Sequence, residues 1–416
     1  MSHFGYEQLD LPILDYADNF LIKAGDQIIN QLFVFERLGQ QVALRPEFTA
    51  SAAHLYAKSS ASGECTRWQF NGEVFENNSK NEYQRYSIGA ELIGQNGILA
   101  DAEIIALATT GLRKLGINEF RLSIGNAELT KLLLDTFDLD TRTQRFILQE
   151  MRQHITSGKI LDNFDQYYGE DEIIRHIHTG PIDSSISIGN RTWKEVTDRI
   201  SQKDKRRNDR GKFVKAVTFF DDWRSITGDP AQSFKELRRL VILRNSDLIQ
   251  KLADWEKTIQ LLSNFDVPES VITIKPDLAR DWEYYTGIVF ELAHEGLIIG
   301  GGGRYDDLIQ LISGSVNAAA IGFAYYGDEL IQTLPNPPVE PIVISVVYPE
   351  GNVAPAISWA NRLRDQDMNV TLKILSGNLV MNARTIYVDS PDVVSYLDRR
   401  YDAHELPNLL NELKKS

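Results

Sequence analysis

At 416 residues the chain is too long for one ordinary domain, and two or three are expected. A hydrophobic fraction of 43% with 25% charged residues excludes a mainly disordered chain, and no apolar run is long enough to span a membrane. Lys and Arg number 44 against 58 Asp and Glu, so the net charge is −14, and a polyanion would need a dedicated basic site. The first twenty residues carry acids where a secretory signal needs a basic and then an apolar run. Cys65 is the single cysteine and has no disulfide partner in the chain, so a cytoplasmic location is expected.

The first 125 residues are rich in strand patterns. Leu32 to Phe35 and Gln41 to Leu44 flank the turn-like Arg37-Leu38-Gly39-Gln40 and predict a hairpin. A second pair is predicted over Arg67 to Phe75 and Tyr86 to Ile93, joined by the polar loop Glu76 to Asn81. From Leu99 to Leu115 the apolar residues take helical spacing, and Gly116 stops the helix. Phe120 to Ile124 is a short strand ending at Gly125-Asn126.

Residues 127–265 are mainly helical in pattern, with candidates over Leu132 to Leu139, Thr143 to His154 and Ser233 to Leu262. The basic run Lys203 to Lys212 lies among them. With no aromatic interleaved to stack a base, it reads as a solvated loop before a nucleic-acid contact. Strand character returns at Val271 to Lys275, Gly287 to Leu292 and Leu297 to Ile299, the last running into Gly300 to Gly303. A helix is expected to start after Phe323. Leu334-Pro335-Asn336-Pro337-Pro338 has the composition of a linker. A small α/β tail follows, with strands over Pro341 to Val347, Val370 to Ile374 and Thr385 to Val388 and a helix over Val353 to Gln366.

No metal site is expected: His176 and His178 are spaced i, i+2, which puts their rings on different sides of a helix. The sequence has no phosphate loop, nucleophile elbow or dinucleotide fingerprint, and Gly300 to Gly303 continues into Arg304-Tyr305-Asp306 where a phosphate loop would have Lys-Ser/Thr. No cofactor is expected. More informative are polar residues in strand-like surroundings: Glu47, Thr49, Glu91, Arg280 and the tyrosines after it. Carboxylates could meet an ammonium and Arg280 a carboxylate, so these residues could converge on an amino acid. Separate surface ion pairs are the competing reading.

At these residues the sequence resembles a known family. Leu44-Arg45-Pro46-Glu47-Phe48-Thr49-Ala50 resembles the "LRPEGTA" segment of histidyl-tRNA synthetase, and Ala279-Arg280-Asp281-Trp282-Glu283-Tyr284-Tyr285-Thr286-Gly287 resembles its "RGLDYYTG" motif. Gly301-Gly302-Gly303-Arg304-Tyr305-Asp306 is similar to its "GGRYD" element. Ala320 to Ala324 resembles the entry to class II motif 3, and Phe70 to Gly94 has the outline of motif 2. The resemblance runs in order from about residue 5 to 330. It implies an α+β class II synthetase-like core, a six- or seven-stranded antiparallel sheet with flanking helices, over 1–126 and 266–333. A helical insertion would occupy 127–265 and a shortened anticodon-binding-like domain 341–416. Gly5 to Ile13 resembles the end of motif 1, the dimerisation motif, with most of its helix absent.

The same resemblance implies that Glu47 and Glu91 face an α-ammonium with Thr49 beside Glu47. Arg280, Tyr284 and Tyr285 would face the rest of a bound histidine, and Gly301, Gly302 and Gly303 would line the pocket. Ser87 replaces the family's glutamine, and Trp282 and Glu283 replace its leucine and aspartate. On the nucleotide side, "FRxE" of motif 2 becomes Phe75-Glu76, in a loop shorter than the family's. "GLERL" of motif 3 becomes Tyr326-Gly327-Asp328-Glu329-Leu330. Two phosphate-holding arginines thus appear as Glu76 and Glu329. Unit charges about 4 Å apart interact by roughly 4 kcal/mol at an effective dielectric near 20, and reversing a sign about doubles the loss. No adenylation by the usual route is expected, unless Lys80 or Arg85 replaces the lost cations.

A kept amino-acid pocket with a lost ATP site resembles the regulatory subunit of ATP phosphoribosyltransferase, a synthetase paralogue of histidine biosynthesis. The resemblance implies histidine as ligand and the short-form catalytic subunit as partner. It also implies a homodimer within a hetero-oligomer, allosteric regulation and no tRNA duty. An atypical histidine–tRNA ligase, or a synthetase fold turned to another small acid, are the alternatives.

Overall fold

The computed structural model describes residues 1–22, 26–59, 63–77, 83–153, 155–168, 205–206, 208–242, 244, 246–280, 284–335, 342–375 and 382–414. His176, His178, Lys80, Trp282, Glu283 and part of the basic run (Lys203, Asp204 and Arg207) lie outside them. The chain divides into two compact units, 1–335 and 336–416.

The first unit is organised by an eight-stranded sheet. Its members are β1 (Glu7–Gln8), β5 (Thr66–Phe75), β6 (Gln84–Ile93), β7 (Arg121–Asn126), β8 (Ile272–Ile274), β9 (Ile288–His294), β10 (Leu297–Arg304) and β11 (Ala320–Tyr326). The order across the sheet is β1-β5-β6-β11-β10-β9-β7-β8. The six central strands are antiparallel, as the resemblance implies, but β1 and β8 add parallel pairings at the two edges and raise the count to eight.

A separate three-stranded sheet joins β2 (Leu14–Tyr16), β3 (Val34–Arg37) and β4 (Gln40–Leu44). The β3–β4 hairpin turns at Leu38 and Gly39, both left-handed with φ of 53° and 76°, which suits the right-handed twist of the strands. Leu32, expected within the strand, instead turns inward and packs with Ala17, Phe20, Ala43 and Ala50. Chain leaving β4 passes through Arg45 to Glu47 into helix α3 (Thr49–Lys58), which follows α1 (Ala17–Leu21) and α2 (Asp26–Gln31).

Helix α4 (Ile98–Lys114) covers one face of the large sheet. Its buried stripe of Ala102, Ile105, Ala106, Ala108 and Leu112 is fully enclosed, and Gly116 follows with φ 85°. Among the described residues, the further helices before β8 are α5 (Ala127–Asp135), α6 (Thr141–Arg152), α7 (Ser157–Tyr168), α8 (Arg210–Ser225), α9 (Pro230–Val241) and α10 (Ser246–Asn264). Helix α5 starts earlier than its apolar run because the Asn126 side chain accepts the Leu129 N–H and caps it. The expected helix over 233–262 is two helices, the second opening at Ser246. Buried residues of these helices and of the large sheet form one continuous core, with Phe213, Trp223 and Trp255 packed in the same cluster as Leu122 and Phe290.

The second unit is a five-stranded sheet of order β13-β12-β14-β15-β16. Its strands are β12 (Val343–Tyr348), β13 (Asn369–Ile374), β14 (Thr385–Ser390), β15 (Val393–Tyr396) and β16 (Arg399–Asp402). Helices α13 (Val353–Arg364) and α14 (Leu406–Leu413) complete it, after α11 (Asp306–Ser313) and α12 (Gly327–Gln332) of the first unit. Trp359, Leu363, Ile386 and Leu409 are fully buried between them. The closing β15–β16 hairpin and α14 are additions to the sequence expectation. Among the described residues, no helix is long and apolar enough to cross a membrane, and no group of three or more His, Cys, Asp or Glu side chains is placed to hold a metal ion.

Candidate functional site

Strands β6 and β10, the start of α3 and the segment between β8 and β9 bring the expected residues together. Glu91 stands on β6, directly opposite Gly322 of β11, while Gly301 to Gly303 of β10 flank β11 on its other side. Glu47 and Thr49 arrive from the turn into α3. That turn is held by Arg45, which is buried, donates to the carbonyls of Glu73 (2.8 Å) and Leu11 (2.6 Å), and lies over the Phe48 ring. Phe48 stacks in turn on Phe70 of β5, centroids 4.3 Å apart.

The resulting cavity, about 130 Å³, is lined by Glu47, Thr49, Arg280, Tyr284, Tyr285, Gly301, Gly303 and Tyr305. It continues toward Glu76, Arg85, Ser87 and Tyr326. Glycine is needed on this wall of β10: a Cβ at Gly303 would stand 2.8 Å from the Tyr285 ring, and one at Gly301 would strike the Arg280 guanidinium. Gly302 alternates to the other face of the strand, where its backbone packs on Phe323, so it does not line the cavity.

The acids are arranged differently from a simple facing pair. Both Glu47 oxygens accept backbone N–H groups, from Thr49 and from Ala50 (2.7 Å), and so cap the start of α3. Glu91 is 1% exposed and sits behind the cavity wall. Thr49 Oγ1 donates to its Oε1 (2.7 Å) and the Tyr305 hydroxyl to its Oε2 (2.6 Å). Burial raises both carboxyls, with the hydrogen bonds opposing it: Glu47 to about 7, and Glu91 to about 8 with Glu47 as a further cause. Burial likewise pushes Tyr285 up to about 12, with the nearby Arg280 opposing. Burial thus disfavours ionisation of both carboxyls, Glu47 in the cavity lining and Glu91 behind it.

The other end carries the cationic groups. Arg280 Nη2 donates to the Tyr326 hydroxyl at 2.7 Å. Arg85 lies over the same ring, 4.8 Å from its centroid, and is ion-paired with Glu329 and, at 3.9 Å, with Glu76. Glu76 and Glu329, the acids that the resemblance sets at two phosphate-holding positions, are thus both paired with Arg85. Tyr305 and Tyr326 lie in motifs that the sequence showed but were not among the expected pocket residues. Alternation along β10 places Tyr305 on the face of Gly301 and Gly303 and could have found it; Tyr326 carries no comparable signal.

A larger cavity of about 390 Å³ contains none of the expected residues. Its buried Arg304 is matched by Asp101 (2.6 Å) and Asp306 (3.0 Å), and its Lys251 by Glu128 (2.7 Å).

Comparison with known proteins bears on the family and the fold. The sequence profile of the family described as histidyl-tRNA synthetase matches residues 1–163 and 210–330. A histidine–tRNA ligase of Methanococcus vannielii is 25% identical over 406 residues, covering 94% of this chain and 83% of the relative. An ATP phosphoribosyltransferase regulatory subunit of Dehalococcoides mccartyi is 26% identical over 382 residues, covering 89% and 80%. Among solved structures, one described as an ATP phosphoribosyltransferase regulatory subunit/histidyl-tRNA synthetase from Bacillus halodurans matches with a TM-score of 0.65 and 23% identity. It covers 93% of this chain and 90% of its own, and at that identity it shows the fold: the α+β class II synthetase-like architecture.

Proposed function

Because the chain belongs to the histidyl-tRNA synthetase family, we propose that it is a non-catalytic member, a regulatory subunit of ATP phosphoribosyltransferase that binds histidine and modulates a short-form catalytic subunit. The observation that carries this reading is the Glu76–Arg85–Glu329 cluster. Arg85 is already held by both acids before a triphosphate arrives, and drawing it away would leave two carboxylates facing the phosphates. The amino-acid end keeps Arg280 for a carboxylate. It also keeps Glu47, with Glu91 beneath it, for an ammonium that would hold both acids ionised. Tyr284 and Tyr285 wall the ring. An isologous homodimer is part of the proposal, as closed two-fold pairing is the commonest oligomer, and a stable monomer in sedimentation at micromolar concentration would refute that part.

The second reading, an atypical histidine–tRNA ligase, is favoured by the relative from Methanococcus vannielii. Histidine-dependent ATP–pyrophosphate exchange separates the two. The regulatory reading expects no exchange above an enzyme-free blank, and clear exchange would refute it.

A further inference from the structure

Resting on the reading of this cavity as an amino-acid site, we propose that a ligand ammonium seated beside Glu47 expels a proton from the Glu47–Glu91 pair, so that affinity rises with pH. Thr49 ties the two acids together. Its amide donates to Glu47 Oε2 and its hydroxyl to Glu91 Oε1 (2.7 Å), so the carboxyls meet within the span of one residue. Glu47 lines the cavity, and Glu91 lies behind the wall, 1% exposed. Among the described residues, no Lys, Arg or His is paired with either carboxyl. Two like charges enclosed without a cation disfavour each other, so the pair by itself keeps a proton.

The groups that face the pair do not supply the missing cation. Tyr284 and Tyr285 come from the segment before β9 and Tyr305 from the residue after β10. Burial raises all three phenols, so they stay neutral near pH 7. Arg280 acts on Tyr285 and donates to the Tyr326 hydroxyl. The start of α3 offers Glu47 two amides, which favour its charged form, yet burial outweighs them, and Glu47 itself raises Glu91 further. An ammonium beside Glu47 provides the counter-charge: a carboxyl O–H bond breaks, the proton passes to solvent, and the carboxylate pairs with the ammonium. Ligand and protons therefore compete for the pair.

Titration calorimetry of the full chain with histidine tests this, run in PIPES and in ACES, buffers that differ in ionisation enthalpy. At pH 7, where the histidine ring is itself mostly neutral, wild type should release about one proton, and its affinity should rise about tenfold from pH 7 to pH 8. Glu91→Gln can still accept from Thr49 or Tyr305. It should bind histidine, release no more than about half a proton and change affinity only about twofold over the same interval. Binding heats that match in the two buffers, with wild-type affinity unchanged from pH 7 to pH 8, would overturn the proposal while leaving the amino-acid site intact. Proton release undiminished in Glu91→Gln would assign it to another group and overturn the proposal as well. Histidine failing to bind wild type would overturn the underlying reading.

Discussion

Replacing Glu91 with glutamine should reshape how stability responds to pH. In the folded chain its carboxyl is raised from 4.5 to about 8, with burial the dominant cause. A raised carboxyl favours the folded state fully below about pH 4.5, and that contribution is lost as pH rises toward 8, because ionisation is then easier in the unfolded chain. The difference corresponds to on the order of 5 kcal/mol at pH 9 relative to pH 4.5. Glutamine keeps the shape, can still accept from Thr49 or Tyr305, and never ionises. Denaturant melts from pH 5 to 9 should show wild type losing stability through pH 8, and Glu91→Gln losing less, its remaining decline ending near pH 7 where Glu47 titrates. Parallel curves for the two proteins would refute the assignment of a costly buried carboxyl to Glu91. Histidine should flatten the wild-type decline, since an ammonium in the cavity stabilises the ionised form.

Three further outcomes are expected. Arg280→Ala should abolish the rise in melting temperature caused by millimolar histidine, because it removes the cavity's carboxylate partner, a charged hydrogen bond of about 1.5–3 kcal/mol; a shift that survives places the site elsewhere. At Gly322 an added Cβ would collide with the Glu91 carboxylate, so Gly322→Ala should displace it and weaken histidine binding in calorimetry. Arg304→Ala should cost about 3 kcal/mol in urea melts, since it removes a buried guanidinium and leaves the half-buried Asp101 without its cation; a loss below 1 kcal/mol would contradict the role given to that pair.

The parts of the fold legible in the sequence were those with strong local signals. Strands β5 and β6 and helix α4 carry their own periodicity, and Leu38-Gly39 carries its own turn chemistry. The Glu47 and Arg280 segments could be read by resemblance because short contiguous motifs place them. What escaped depends on contacts between distant segments. The sharing of Arg85 by Glu76 and Glu329 joins β6, the loop after β5 and α12, and no local pattern announces it. Likewise, Glu91 reads as a pocket acid, yet the hydroxyls of Thr49 and Tyr305, 42 and 214 residues away in sequence, hold it behind the wall. Edge pairing was missed for the same reason: β1 is two residues long, and only its partner β5 makes it a strand.

The central claim is tested most directly by mixing the chain with a short-form catalytic ATP phosphoribosyltransferase subunit and following formation of phosphoribosyl-ATP. The account predicts that transferase activity rises on adding the chain and that histidine lowers it, with Arg280→Ala activating normally but losing the histidine response. Activity unchanged by the chain, with and without histidine, would contradict it.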